Sequence, residues 1–337
     1  MLKSIVYKTT LFKRQKYVLS KGINLVKLSL SQVISKLLNK PIIWGYPMIV
    51  KVESSSFCNL KCPLCYLQRF DVKAGNMNIK LLKNIVDKVK KKSILLVLNN
   101  RGEPLICKEI IKMIAFATQN GMITNLSTNL NFDIDFEALV KSGLKKMIVS
   151  IDGLSQETYE KYRVGGNLNV VLSNIKKISN IKKKLNTPFP IISWRYIYFS
   201  HNENEAKEQI IKKAKEVGCN ELKLCKPHII DKSDKNYLRK GETFSNYLSN
   251  GELNIKKKIK GCKYIWQEMV IDWDGSVDLC CLDSAFTKVG DIKDGLLKVW
   301  NGKTYNKLRA LILKNRDNIN ECKTCFRELD WEEKLLL

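Results

Sequence analysis

The chain has 337 residues, 45% of them hydrophobic, and its 59 lysines and arginines outnumber 33 aspartates and glutamates to give a formal net charge of +26. That length suffices for about two domains, each with its own core. No run of 18 or more apolar residues occurs, which argues against a membrane-spanning helix. Met1-Leu2-Lys3-Ser4 opens no apolar stretch with a small-residue cleavage site, which argues against a secretory signal. A reducing, cytoplasmic setting is therefore expected, where the 11 cysteines serve as metal ligands or catalysts more readily than as disulfides.

The charge is uneven. No acidic residue precedes Glu53, whereas Lys3, Lys8, Lys13, Arg14, Lys16, Lys21, Lys27, Lys36 and Lys40 are all basic. Positive surface attracts phosphates, whether of nucleic acid, anionic lipid or a nucleotide-linked substrate. A lysine-rich bias along the whole chain also fits a plain solvated surface. Residues 1–46 form a basic N-terminal segment in which Val26, Leu28, Leu30, Val33, Ile34, Leu37 and Leu38 recur among lysines and serines. From Leu30 the spacing predicts an amphipathic helix with a basic face. Such a helix either packs on its own domain or makes a peripheral contact at the inner face of an anionic membrane. Pro41 and Pro47 bracket a connecting segment.

From residue 47 to 226, strand and helix signals alternate. Short apolar runs at 48–53, 94–98, 122–126, 146–151, 190–198 and 221–225 read as buried strands. Between them, Ile79, Leu82, Ile85, Val86 and Val89 form one helical face, and Ile110, Ile111, Ile114 and Ala117 another, with Gly121 as its stop. Alternation of this kind implies right-handed crossovers and a parallel sheet.

Cys58, Cys62 and Cys65 follow the first of these runs in the spacing C-x3-C-x2-C. Three thiolates on one loop hold three irons of a [4Fe–4S] cluster and leave the fourth open; a zinc knuckle is the plainer alternative. The segment resembles the radical S-adenosylmethionine (SAM) enzymes. The resemblance implies a (β/α)6 partial TIM barrel, with the cluster loop at the C-terminal edge of the strands, where barrel loops carry function. It further implies that SAM chelates the open iron, that a reducing partner such as flavodoxin or ferredoxin supplies one electron, and that the resulting 5′-deoxyadenosyl radical takes hydrogen from a substrate. Arg101-Gly102-Glu103-Pro104 resembles the family's Gly-Gly-Glu-Pro motif, with Arg101 in place of the first glycine. By the same resemblance Gly102 and Glu103 hold the SAM ammonium group. Ser127 and Asn129 face the ligand from the third strand tip, and Ser150 in Ser150-Ile151-Asp152-Gly153 meets the ribose. Arg163 pairs with the SAM carboxylate, and Leu64 packs near adenine.

Residues 227–260 lose the alternation and read as a linker with a basic run at Lys256-Lys257-Lys258. A second unit, 261–337, starts with a hairpin in which Val270-Ile271-Asp272-Trp273 and Val277-Asp278-Leu279-Cys280 flank Asp274-Gly275. Apolar residues at helical spacing follow, from Leu296 to Ile312, and Cys322-Lys323-Thr324-Cys325 closes the unit. Cys262, Cys280, Cys322 and Cys325 are placed to converge on one metal: a structural zinc or, by resemblance to the twitch or short SPASM extension of radical SAM enzymes, one auxiliary [4Fe–4S] cluster in a β-hairpin-plus-helix domain. Cys281 points to the other face if its neighbour is a ligand on a strand. Cys107, Cys219 and Cys225 read as buried small hydrophobes.

These features predict a radical SAM oxidoreductase of dehydrogenase or epimerase type. Its auxiliary cluster would transfer electrons, and its substrate would be an anionic or phosphorylated sugar, a nucleotide-sugar or a lipid-linked glycan precursor. A membrane lipid and a peptide are the alternative substrates. Near predicted strand ends stand His201, His228, Tyr196, Tyr198, Arg195 and Lys226, none of them singled out as a base or hydrogen donor. A zinc-bearing nucleic-acid-binding protein is the reading from another class. Against it, the basic residues are not interleaved with aromatics in a recognition motif.

Overall fold

Six of the apolar runs become the strands β1 (Ile49–Val52), β2 (Leu95–Val97), β3 (Ile123–Thr128), β4 (Lys146–Ser150), β5 (Ile191–Ile197) and β6 (Glu221–Cys225). The structure is a computed structural model that describes residues 16–229, 231–239, 261–281, 287–316, 319, 322, 325 and 332–337. Lys256-Lys257-Lys258 and the basic residues up to Arg14 lie outside the described residues. The six strands pair in parallel in the order β6-β5-β4-β3-β2-β1. The sheet is open, as in a partial barrel.

The helices of the barrel follow their strands. They are α2 (Ile79–Val89), α3 (Ile110–Gln119), α4 (Phe136–Lys141), α5 (Leu168–Lys184) and α6 (Lys207–Glu216), with α1 (Val18–Leu38) preceding the sheet. Helix α2 buries Leu82, Ile85, Val86 and Val89, the residues that share one face at a 3.6-residue period. Its start is fixed by the Asn78 side chain, which accepts a hydrogen bond from the Lys80 amide. Helix α3 ends where Gly121 turns to φ 81°, a left-handed conformation that a residue with a side chain adopts only at a cost.

The second unit does not stand apart from the barrel. Strand β7 (Glu268–Ile271) pairs in parallel with β1, and β8 (Ser276–Asp278) and β9 (Lys288–Asp291) continue antiparallel beyond it. At the opposite edge, β10 (Glu332–Leu336) runs antiparallel to β6. Ten strands thus form one sheet. The hairpin falls where Asp274-Gly275 predicts it, and helix α7 (Lys303–Lys314) packs over it.

Helix α1 begins well before Leu30, and its orientation runs against the expectation that an apolar stripe packs on its own domain. The buried residues are Lys21, Asn24, Leu28, Ser31 and Ser35. Lys21 Nζ donates to the Gly121 carbonyl at 2.6 Å, and Asn24 Nδ2 donates to the carbonyls of Tyr46 at 3.0 Å and Lys92 at 3.2 Å. Those carbonyls lie just before β3, β1 and β2, so α1 lies beneath the N-terminal ends of the strands.

The junction of the two units is ionic. The Arg101 side chain leaves the loop after β2 and donates to Glu53 at 2.9 Å, to Asp278 at 2.9 Å, and to Asp272. Lys288 bridges the same Asp272 and Asp278 from β9. Arg101 is 7% exposed, and the three carboxylates are as deeply placed. Burial raises the pKa of Glu53 and, with the Asp272 charge beside it, lifts Asp278 to about 6. Arg101→Met would leave Asp272 and Asp278 to Lys288 and take from Glu53 the cation it meets. It should cost about 3–5 kcal/mol, read as a lower urea midpoint, and a loss under about 1 kcal/mol would show that the charges are not held away from water.

Candidate active site and auxiliary cavity

A cavity of about 320 Å³ opens at the C-terminal ends of the six parallel strands. Its first wall is the loop after β1. Cys58, Cys62 and Cys65 all line the cavity. The loop is tied down by its own turn, in which the Cys65 amide donates to the Cys62 carbonyl at 3.0 Å, and by the Lys61 amide donating to the Val164 carbonyl at 3.0 Å. N–H groups point at the sulfurs. The Leu60 amide lies 3.5 Å and Asn129 Nδ2 3.8 Å from Cys58 Sγ, and Arg163 Nη1 lies 3.6 Å from Cys62 Sγ. Burial nevertheless pushes the Cys58 thiol up to about 11, and the Cys65 thiol up as well.

The second wall is the loop after β2. Gly102 has no room for a side chain, because a Cβ there would lie 2.3 Å from the Ser55 carbonyl oxygen. The two loops are further stitched by the Glu103 amide donating to the Phe57 carbonyl at 2.8 Å. Glu103 itself is 2% exposed, and its carboxylate accepts from Thr128 Oγ1 at 2.7 Å, the Asn129 amide at 2.7 Å and the Leu105 amide at 3.1 Å. Burial pushes its pKa up to about 7 despite those three donors. Its oxygens already satisfy the β3 tip, so Glu103 fixes the wall as much as it faces a ligand. Arg101, where the resembled motif has glycine, lines the cavity while sending its side chain into the junction described above.

Ser127, Asn129 and Ser150 line the cavity at the ends of β3 and β4, and Arg163 lines it from the turn after the one-turn helix Gln156–Glu160. The Arg163 charge is answered internally. Its Nε and Nη2 both lie 2.6 Å from Asp152 Oδ2, and Asp152 is fully buried. Leu64 does not line the cavity; it packs in a small apolar cluster with Leu60, Tyr162, Phe199 and Ile229 behind the cysteine loop.

At the β5 and β6 ends stand residues whose roles the sequence left open. Arg195, Lys226 and His228 line the cavity. Arg195 Nη2 donates to Ser150 Oγ at 2.7 Å, while its Nε is buried without a partner among the described residues. Burial holds the His228 pKa down to about 4, so the imidazole is neutral at pH 7. Asn100, unmarked in the sequence, lines the same space with a buried Oδ1 that no group among the described residues satisfies. In contrast, Tyr196 turns away to donate to Glu205 at 2.7 Å, and His201 stacks on Phe199 at 5.2 Å. The available signal for Asn100, Arg195, Lys226 and His228 was their place at the C-terminal ends of strands.

A second, small cavity of about 40 Å³ lies in the C-terminal unit, and Cys262, Cys280, Cys322 and Cys325 all line it. Cys281 is not among its walls. The segment bearing the last two cysteines is held by Arg316, whose Nε donates to the Cys322 carbonyl at 3.1 Å and Nη2 to the Cys325 carbonyl at 3.0 Å. Behind it, fully buried Arg309 sits 4.3 Å from the Trp300 ring and 4.0 Å from the Tyr305 ring, and the Tyr305 hydroxyl, within 3.3 Å of the Glu268 carbonyl and 3.4 Å of the Leu279 carbonyl, holds α7 on the hairpin. Among the described residues no three His, Cys, Asp or Glu side chains are drawn to a single point; each set of thiols faces a shared space.

The residues present suit the groups that the family resemblance implies. Soft thiolate donors select iron–sulfur clusters or zinc, and the orphaned Asn100 acceptor and Arg195 donor are complementary to the ammonium and anionic groups of a polar ligand. Comparison with known proteins bears on the choice. Residues 52–214 match the family model of the Radical SAM superfamily, and residues 262–326 match that of the SPASM iron–sulfur cluster-binding domain. A GTP 3′,8-cyclase of Clostridium botulinum is 32% identical over 141 residues, 40% of this chain and 44% of the relative. An AdoMet-dependent heme synthase of Methanosarcina barkeri is 28% identical over 150 residues, 43% of this chain and 42% of the relative. The chain thus spans less than half the length of these curated relatives. Among solved structures, Streptococcus suis SuiB bound to S-adenosylmethionine superposes with a TM-score of 0.62 at 17% identity, covering 88% of this chain and 75% of that one. BtrN in complex with AdoMet and 2-DOIA gives 0.53 at 15% identity, covering 86% and 96%. At those identities the likeness is one of fold. With the cluster loop inside one matched segment and the four further cysteines inside the other, the chain belongs to the radical SAM superfamily and carries a SPASM-type iron–sulfur domain, which brings with it [4Fe–4S] clusters and S-adenosylmethionine.

Proposed function

We propose that this radical SAM enzyme is an oxidoreductase, of dehydrogenase or epimerase type, acting on an anionic substrate such as a phosphorylated or nucleotide-linked sugar. When bound, SAM and the clusters would supply a 5′-deoxyadenosyl radical that takes a substrate hydrogen and an acceptor for the electron left behind. The protein's share is position and charge. Cys58, Cys62 and Cys65 would hold the SAM-binding cluster. Gly102, Glu103, Ser127, Asn129, Ser150 and Arg163 would line SAM, with Leu64 supporting the loop from behind. Cys262, Cys280, Cys322 and Cys325 would hold the auxiliary cluster.

One observation carries the substrate class. Arg163 is neutralised by Asp152, whereas Arg195 donates to a serine hydroxyl and, among the described residues, meets no carboxylate and keeps a buried Nε–H unpaired. A guanidinium so placed favours an anion with two acceptor oxygens, and Lys226 lines the same end of the cavity. A nucleotide in the name of the Clostridium botulinum relative is in keeping with a phosphate-bearing substrate. Neutral His228 would take or return the proton of an oxidised hydroxyl.

Two measurements test this reading. Anaerobically reconstituted enzyme, reduced by flavodoxin or ferredoxin, should form 5′-deoxyadenosine faster with nucleoside-diphosphate sugars than with neutral sugars or peptides. Arg195→Gln should remove most of that stimulation, about tenfold or more, and leave unstimulated SAM cleavage in place; stimulation by peptides alone would overturn the proposal. Metal analysis should give about eight irons per chain, the sum of two [4Fe–4S] clusters. Cys62→Ala should lose about half of the iron and all SAM cleavage. Cys322→Ala should lose the other half and keep SAM cleavage while blocking product, and zinc in place of that half would remove the auxiliary electron site.

A further inference from the structure

Helix α1 carries two stripes of opposite character. Lys21, Asn24, Leu28, Ser31 and Ser35 are spaced three or four apart and are buried. Leu19, Ile23, Val26, Leu30, Val33 and Leu37 repeat at the same spacing, two residues out of phase, and are 79%, 48%, 57%, 50%, 55% and 78% exposed. Two residues correspond to about 200° of helical turn at 3.6 residues per turn, so the apolar stripe points directly away from the barrel. This inverts the arrangement of an ordinary surface helix, whose apolar face is the one that packs. The helix is held mainly by polar contacts, Lys21 and Asn24 bonding to carbonyls of Gly121, Tyr46 and Lys92, with Leu28 the one large aliphatic side chain on its buried face. A contiguous exposed apolar surface of this kind marks an interaction site.

Charge identifies the occupant. Lys16, Lys27, Lys36 and Lys40 are exposed along or beside the helix, and no acidic residue occurs before Glu53. Trp44, half exposed in the segment that follows, belongs to the residue type that settles at the headgroup level. A second copy of the chain, docked by two-fold symmetry through this face, would set the lysines of α1 against one another with no acidic residue on the helix itself to answer them. A bilayer of anionic lipid satisfies both features, since acyl chains take the aliphatic stripe and headgroups take the lysines.

We propose that the outward face of α1 is a monotopic membrane-docking surface for anionic bilayers, about 30 Å long by the rise of 1.5 Å per residue, on which the enzyme lies flat. The assignment is independent of the chemistry in the barrel. It also sets the orientation. Helix α1 lies beneath the N-terminal ends of the strands and the active-site cavity opens at their C-terminal ends, so the cavity faces away from the bilayer.

The test is sedimentation of the reconstituted full-length holoenzyme with vesicles of phosphatidylcholine alone or mixed with phosphatidylglycerol. The protein should pellet with the mixed vesicles and remain largely in solution with the neutral ones. Combining Leu19→Glu, Leu30→Glu and Leu37→Glu should lower partitioning about tenfold or more with iron content and circular dichroism unchanged, because all three side chains are exposed. Should that variant misfold, Lys16→Gln, Lys27→Gln and Lys40→Gln together decide the matter by erasing the preference for anionic lipid. Wild-type protein that stays in solution with both vesicle types, or a folded triple-Glu variant that partitions like wild type, would overturn the proposal. So would a wild-type dimer that ignores vesicles and dissociates in the variant, which would assign the face to a second copy.

Discussion

Arg101 is a single cation that faces Glu53, Asp272 and Asp278, three carboxylates drawn from the end of β1 and from both strands of the C-terminal hairpin. Such an assembly is costly to bury and stable only when each acid is answered. The requirement ties three backbone segments to one point. It acts together with the parallel pairing of β1 and β7, so the loop bearing Cys58, Cys62 and Cys65 and the hairpin bearing Cys280 hang from neighbouring strands of one sheet. Two cluster sites on separate domains would vary in distance with every interdomain motion. Here the two sets of cysteines are tied together by backbone hydrogen bonds and a desolvated charge network.

The same residue explains why a glycine motif tolerates arginine. In Arg101-Gly102-Glu103-Pro104 it is Gly102 that has no room for a side chain, since a Cβ there would come within 2.3 Å of the Ser55 oxygen. Position 101 has space for a side chain provided that it turns away from the cavity, and the carboxylates of the C-terminal unit supply the reason for it to do so. The substitution thus exchanges conformational freedom at one loop position for an anchor between the units.

Much of this architecture was legible in the sequence because apolar runs bounded by polar residues carry their own period. The six barrel strands, the Asp274-Gly275 hairpin and the cysteine spacings lie where those local patterns put them. What escaped was non-local. Glu53, Asp272 and Asp278 stand 48, 171 and 177 residues from Arg101, and no local pattern joins them. Strand β10 was missed because it is mostly exposed and is held by pairing with β6 and by Lys223–Glu332 and Lys207–Glu333 ion pairs rather than by an apolar face. For α1, periodicity gave the existence of two faces but not which one turns inward. That choice was made by Lys21 and Asn24 finding carbonyls at the ends of three strands.

Charge in the cavity follows from local pairing rather than from the net +26 of the chain. Along the cavity wall Arg163 is spent on Asp152 and Arg101 on three acids, whereas Arg195, at the β5–β6 end, donates to the Ser150 hydroxyl and meets no carboxylate among the described residues. The N-terminal excess of lysine serves a different surface at the opposite end of the strands. These two basic regions therefore point in opposite directions, and the distinction bears on the substrate. If α1 rests on a bilayer, a membrane lipid would have to leave the acyl layer and travel around the barrel to reach Arg195. A soluble anion would arrive at the cavity directly from water, which is in keeping with the anionic substrate proposed above.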